Sequence, residues 1–161
     1  MSRRTTADAD PRRISVVDAV CCVYFCAAGK SGLFISILSR LGLEILIPEE
    51  VEREVLGKRS YGQLSVHWRR MKASDRVQIL PLLTVDDQRA DVVACVARVR
   101  DTSVTLALSA RKDLGEAVVV GHAQALSGGE YLATLVVDEY IHLMAGIREV
   151  PSNLACSSPP D

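Results

Sequence analysis

The chain has 161 residues, a formal net charge of −1 and an apolar fraction of 48%, with only 4% aromatic residues. That length is enough for one domain around a single core, built here of Val, Leu, Ile and Ala. The near-zero net charge argues against a protein that coats nucleic acid by bulk electrostatics, although local basic patches remain open.

Predicted strands and helices alternate along the chain, which favours βαβ units and a largely parallel sheet. Gly42 suits the C-terminal cap of a helix, and Pro48 suits the first turn of the next one. The predicted order is strand 14–17, helices 19–29 and 31–41, strand 43–47, helices from 48 and over 61–72, strand 77–80, helices 86–100 and 114–126, strand 131–138 and an edge strand 147–150.

The cysteines and the first apolar stretch indicate where the protein resides. Five cysteines without paired metal-ligand spacing, at positions 21, 22, 26, 95 and 156, are typical of small buried side chains in a reducing cytoplasm. Asp18 and Lys30 divide the apolar stretch over residues 14–41 into pieces too short to span a bilayer. Asp18 also interrupts the region that a signal peptide would need. We therefore expect a cytoplasmic protein without a membrane segment.

Four carboxylates lie where a strand passes into a helix or near the start of a helix. Asp18 and Asp138 each follow a predicted strand, and the carboxyl ends of parallel strands converge at the topological switch point of an open sheet. We therefore expect these two to face each other. Glu54 and Glu116 belong to helices that begin just after a punctuating residue.

The order of these acids and the sequences around them resemble the PIN-domain family, most closely its small single-domain bacterial ribonuclease toxins of the VapC type. The resemblance covers residues 14–150 and implies a three-layer α/β/α domain with a central, mostly parallel, twisted sheet, flanked by flexible segments at 1–13 and 151–161. It rests on four segments together: Val-Val-Asp-Ala at 16–19, Ile-Pro-Glu-Glu-Val-Glu-Arg-Glu-Val at 47–55, Asp-Leu-Gly-Glu-Ala at 113–117 and Leu-Val-Val-Asp-Glu at 135–139.

Each acid also has a purely structural interpretation. Asp18 and Asp138 suit N-caps of the helices that follow them. Glu116 lies three residues after Asp113, which is the spacing of a capping box. Glu54 is placed to pair with a lysine one helical turn later. All four nevertheless fall on separate elements in the order that the family uses, and this favours a common site.

The resemblance implies a catalytic set of Asp18, Glu54, Glu116 and Asp138, with Asp18, Glu116 and Asp138 as metal ligands. Clustered carboxylates repel at neutral pH, so they either take up protons or bind a cation. Oxygen ligands favour Mg²⁺ or Mn²⁺ over zinc. The expected chemistry is metal-assisted hydrolysis of a phosphodiester. The neighbours most easily mistaken for site residues are Glu50, Asp113 and Glu139.

Basic residues between the second and third strands are candidates for holding an RNA backbone. Trp68 lies among them and suits base stacking. The alternative that we favour is a solvated amphipathic helix with Trp68 packed inward. His67, His122 and His142 are scattered and receive no role. The candidate basic residues are Lys30, Lys58, Arg59, Arg69, Arg70, Lys72 and Arg76.

The predicted function is therefore a metal-dependent endoribonuclease, the toxin of a type II toxin–antitoxin pair. The resemblance implies a homodimer that a small antitoxin protein silences. A second hypothesis is a catalytically weak PIN-like domain that binds RNA or a protein, because Val20 replaces a small polar residue and Tyr140 a basic or polar one in the family pattern. A receiver-like or nucleotide-binding module is disfavoured because no Gly-rich loop follows the first strand.

Overall fold

The computed structural model describes residues 12–58, 60–86, 89–110, 113–127 and 131–136. These ranges contain four strands: β1 (Arg12–Val17), β2 (Glu44–Pro48), β3 (Val77–Leu80) and β4 (Tyr131–Val136). They also contain the helices α1 (Ala19–Ala27), α2 (Ser31–Arg40), α3 (Glu49–Gly57), α4 (Leu64–Lys72), α5 (Ala90–Val99), α6 (Val104–Ser109) and α7 (Leu114–Ser127).

The four strands form one sheet in the order β3-β2-β1-β4, and every neighbouring pair is parallel. β1 lies between β2 and β4, with Val16 opposite Leu46 on one side and Val17 opposite Val136 on the other. Residues 14–17 of β1 are all buried, as expected for a parallel strand covered on both faces. The central position of β1 brings its carboxyl end to the middle of the sheet.

The chain order of the strands divides the helices between two faces of the sheet. β1, β2 and β3 step toward one edge, and the return from β3 to β4 crosses to the other side of β1. Since such crossovers are right-handed, the helices before β3 and those after it cover opposite faces. α1, α2 and α4 contact one another, while α7 packs on β1, β2 and β4 and supports α5. This arrangement confirms the predicted α/β/α fold with a parallel sheet.

Two apolar clusters fill the layers on the sheet. The larger one joins the sheet to α1 and α4 and includes the fully buried Trp68 and Met71. The smaller one joins α5 to α7 through Val92, Val96 and Val118. Val92 and Val96 are buried, and Val99 of the same helix is half-buried.

Burial also agrees with the predicted character of the cysteines. Cys22, Cys26 and Cys95 are buried free thiols, and burial raises the pKa of Cys26 to about 11. Within the described ranges, no helix combines the length and apolar character needed to cross a membrane.

Most predicted elements occur with boundaries shifted by a few residues. β1 begins at Arg12, inside the segment predicted to be flexible, because Arg12 and Arg13 pair with Tyr131 and Leu132 of β4. Arg12 also forms an ion pair with Glu44 of β2, with both carboxylate oxygens at 2.6 and 2.7 Å. The short helix α6 was not predicted, since of its residues only Ala107 is buried and no apolar period marks it. The predicted edge strand 147–150 lies outside the described residues.

Candidate metal and catalytic site

Asp18 lies directly after β1, at the carboxyl end of the sheet. Its backbone N–H donates to the carbonyl of Val136, the last residue of β4, at 3.0 Å. The connections that leave β1 and enter β4 run on opposite faces, so this position is the topological switch point of the sheet, where open α/β folds bind ligands. Asp18 therefore lies at the switch point of the sheet, as its position after the first strand predicted.

The carboxylate of Asp18 is buried and caps α1. Its Oδ1 accepts from the N–H of Ala19 at 2.6 Å, and its Oδ2 accepts from the N–H of Val20 at 3.3 Å. The N-cap interpretation is thus confirmed for Asp18. Capping does not prevent ligand binding, because an ionised carboxylate has about four lone-pair positions.

Glu54 joins α3 to the first turn of α7. Its Oε1 accepts from the backbone N–H of Gly115 at 3.0 Å, across 61 residues of sequence. A Cβ at position 115 would lie 2.6 Å from that oxygen, so the carboxylate of Glu54 can keep its observed position only because residue 115 is glycine. The sequence carries this signal as Gly115 in the first turn of a helix, but its role as donor to Glu54 was not predicted.

The surroundings of Glu54 favour its protonated form. Burial raises the pKa of the Glu54 carboxyl, and the charges of Asp18 and Asp113 raise it further. The N–H of Gly115 and the charge of Lys58 act in the opposite direction. The predicted pairing with Lys58 is therefore a minor influence on the pKa of Glu54. The charge of Asp18 acts on Glu54, so the two carboxylates lie within the range of electrostatic interaction.

Glu116 follows Gly115 in the first turn of α7 and is half-buried. The residue before α7, Asp113, has φ of 56°, in the left-handed region. An N-cap normally has extended backbone, so this geometry does not support a capping box. The docking of Gly115 on Glu54 fixes the backbone beside Glu116, so three of the four predicted acids belong to elements that meet at this end of the sheet.

The fourth predicted acid, Asp138, lies outside the described residues, two positions after the end of β4. Its role as a ligand stays a prediction. Among the residues that the structure describes, no group of three His, Cys, Asp or Glu side chains has the arrangement of a metal site.

The donor set nevertheless fits a hard cation. Asp18 and Glu54 offer carboxylate oxygens, and their mutual repulsion is the electrostatic condition that a divalent ion relieves.

Glu50 lies one turn before Glu54 but has a different role. It is buried, its Oε1 accepts from the N–H of Leu83 at 2.7 Å, and its Oε2 has no hydrogen-bond partner. Burial raises its pKa, whereas the N–H of Leu83 lowers it. Glu50 holds the segment after β3 against α3, which gives this carboxylate a structural contact.

The structure corrects the proposed stacking role of Trp68. This side chain is 2% exposed and belongs to the core, so it does not stack on a base, and the amphipathic-helix interpretation is confirmed. Arg69 and Arg70 are exposed on the outer side of α4. The end of α4 leads into the start of β3 and therefore lies at the amino end of the sheet, whereas Asp18 lies at the carboxyl end.

A cavity of about 200 Å³ also lies at the amino end, away from the acids. Its polar lining comes from the starts of β2 and β3 and includes Glu44, Asp75 and Arg76. Its lining includes Arg76, one of the candidate basic residues, but none of the four predicted acids. The carboxyl end of the sheet, and not the cavity, therefore defines the candidate metal and catalytic site.

Comparison with known proteins adds no relative: no family model matches the chain, and neither a curated protein nor a solved structure is significantly similar to it.

Proposed function

We propose that this protein is a metal-dependent endoribonuclease with a PIN-like domain that hydrolyses RNA phosphodiester bonds. The observation that carries the proposal is the bond between Glu54 and Gly115 beside Asp18. The bond holds the first turn of α7, which carries Glu116, against Glu54 of α3, and the charge of Asp18 after β1 acts on the same Glu54 carboxyl. A shared environment for acids that lie far apart in sequence is what a catalytic site requires and what isolated helix caps do not need.

In this proposal Asp18, Glu116 and Asp138 hold a Mg²⁺ or Mn²⁺ ion. When bound, such an ion lowers the pKa of water and neutralises charge on the phosphate. Asp18 is positioned by the two N–H groups that it caps, and Glu54 by the N–H of Gly115. The raised pKa of Glu54 suits it to hold or take up a proton next to the reacting phosphate.

The proposed biological role is that of a cytoplasmic toxin, silenced by a small antitoxin protein and active as a homodimer. The similarity of the four sequence segments to VapC-type toxins supports this role. A short open reading frame directly upstream of the gene would support the toxin–antitoxin pair, and its absence would favour a stand-alone nuclease.

The alternative function is RNA or protein binding without cleavage. The observation that favours it is the use of both Asp18 oxygens as caps, together with Val20 as one of the two capped residues. In that case the acids would stabilise the ends of β1 and α7 and no metal would be needed.

RNA cleavage by the purified protein separates the two functions. We expect cleavage with Mg²⁺ or Mn²⁺, none with EDTA, and a loss of about 10²-fold or more in Asp18→Asn, Glu54→Gln and Asp138→Asn. Asparagine caps helices as well as aspartate, and glutamine still accepts from Gly115, so these variants should fold. Asp75→Asn, an exposed acid at the opposite end of the sheet, is the matched control and should retain activity. Intact RNA with wild-type protein in both metals would overturn the nuclease and favour the binding module.

A further inference from the structure

The acidic residues of this chain are distributed very unevenly. Residues 19–43 and 58–74 contain no aspartate or glutamate, although the whole chain has 20 acidic against 19 basic residues. These segments form α1, α2, α4 and the turn before α4, and the three helices contact one another as one layer. The basic residues in these acid-free segments are Lys30, Arg40, Lys58, Arg59, Arg69, Arg70 and Lys72.

The outer side of this layer, called here the α1/α2/α4 face, exposes apolar side chains as well as cations. Leu33, Ile37 and Leu41 are 54%, 44% and 51% exposed, and their four-residue spacing makes one apolar stripe along α2. Lys30 and Arg40 flank that stripe and are exposed. Outside the layer, the large apolar residues that the described ranges expose are Leu56, Val85 and Leu106.

Close contacts join the parts of this face into one surface. The hydroxyl of Ser31, the first residue of α2, is 2.8 Å from Nδ1 of His67 in α4. A Cβ at Gly62 would lie 2.9 Å from the carbonyl of Ala27, so the turn before α4 packs tightly on the end of α1. The exposed Tyr61 and Val66 therefore lie beside the start of α2 and the end of α1.

We propose that the α1/α2/α4 face docks reversibly on an anionic lipid surface. Interfacial binding needs exposed apolar side chains that enter the head-group region and Lys or Arg that meet anionic lipids, and it needs no spanning helix. Tyr24 and Tyr61, at 62% and 54% exposed, are residues that favour such an interface. The three helices carry no acidic residue of their own, and the bordering Glu52 of α3 is neutralised by its ion pair with Lys72, so little repulsion opposes an anionic surface.

Lipid explains this face better than the other occupants do. RNA would use the cations and tyrosines but would leave the aliphatic stripe of α2 in water. A second copy of the chain would bring two cationic surfaces together, which costs free energy through like-charge repulsion. Docking on lipid does not involve Asp18 or Glu54, so it is independent of the proposed nuclease.

Flotation of the full chain with vesicles tests the proposal. We expect binding to phosphatidylcholine vesicles that contain phosphatidylglycerol and none to phosphatidylcholine alone. Leu33→Ser and Ile37→Ser should each reduce the partition coefficient about tenfold, because each removes a large apolar side chain. Arg69→Gln and Arg70→Gln should each reduce it about fivefold, and added salt should weaken binding of the wild-type protein.

The controls are an exposed leucine and an exposed arginine outside the face. Leu106→Ser and Arg98→Gln should bind as wild type, and so should Asp18→Asn, which separates docking from the acidic site. Absence of binding to the anionic vesicles, or equal loss in Leu106→Ser, would overturn the proposal. A dimer in solution that Leu33→Ser abolishes, without vesicle binding, would identify a second copy as the occupant and would equally overturn it.

Discussion

Charged side chains are arranged differently at the two ends of the sheet. At the amino end, Arg12 and Glu44 neutralise each other across β1 and β2 in an exposed two-point ion pair. At the carboxyl end, Glu54 accepts a backbone N–H and lies near the charges of Asp18 and Asp113. The amino end is arranged for stability, whereas the carboxyl end collects repelling acids, an arrangement that persists when it serves a ligand.

Gly115→Ala should have the largest effect on stability, because it removes the hydrogen bond between Gly115 and Glu54 at the carboxyl end of the sheet. The new Cβ would lie 2.6 Å from Oε1 of Glu54, so the end of that side chain must move away and the hydrogen bond from Gly115 is lost. We expect a fall of about 1–3 kcal/mol in the free energy of unfolding, measured in urea. Gly57→Ala is the control: no atom lies within 4 Å of its Cβ, so helix propensity should leave it unchanged or slightly more stable. Equal effects of the two substitutions would contradict the geometry at Gly115.

Metal binding at the carboxyl end should raise the free energy of unfolding of the protein by a comparable amount. An ion at a hundredfold excess over its Kd raises the free energy of unfolding by about 2.7 kcal/mol. Thermal unfolding with Mg²⁺ and with EDTA, at matched ionic strength, measures the difference. Asp18→Asn should lose most of the gain, while Asp75→Asn should keep it. A gain that survives in Asp18→Asn would exclude Asp18 as a ligand.

Glu54→Gln should stabilise the metal-free protein at neutral pH. Burial and neighbouring acids raise the pKa of Glu54 in the folded state, so its contribution to stability is present below the unfolded pKa of about 4.3 and is lost as pH rises through the folded pKa. Urea unfolding should therefore give the variant a higher free energy of unfolding than the wild type at neutral pH. This difference should disappear as the pH falls toward about 4. Glu52→Gln on the same helix loses an ion pair with Lys72 and should show no such gain.

Local sequence signals predicted the fold well. Pro48 and Gly42 marked helix ends, and β-branched runs marked the strands. Their alternation predicted the parallel sheet, while the three layers were predicted from the family resemblance. The boundary of β1 was missed because the partner of Arg12 is Glu44, which is 32 residues away. α6 was missed because a helix of six residues with one buried side chain has no readable period.

The sequence named candidate residues for the site but could not predict the contacts between them. Asp18 could be placed because a strand end at a switch point is a topological property. The bond from Gly115 to Glu54 could not, since it depends on how closely α3 and α7 approach each other. Trp68 shows the same limit. Its position among arginines in the sequence was compatible with base stacking and with core packing, and its burial in the structure shows that it packs in the core.

The smallest effect on stability is expected from the ion pair between Arg12 and Glu44 at the amino end of the sheet. Arg12 and Glu44 are 60% and 44% exposed, so solvent screens their attraction and the pair should contribute only about 0.2–1 kcal/mol despite its two-point geometry. A double-mutant cycle with Arg12→Gln and Glu44→Gln isolates this coupling, and repeating it in high salt should reduce it further. A coupling as large as the effect of Gly115→Ala would mean that the amino end holds β1 in place. In that case the exposed ion pair at the amino end would stabilise the fold as strongly as the contact between Gly115 and Glu54 at the carboxyl end.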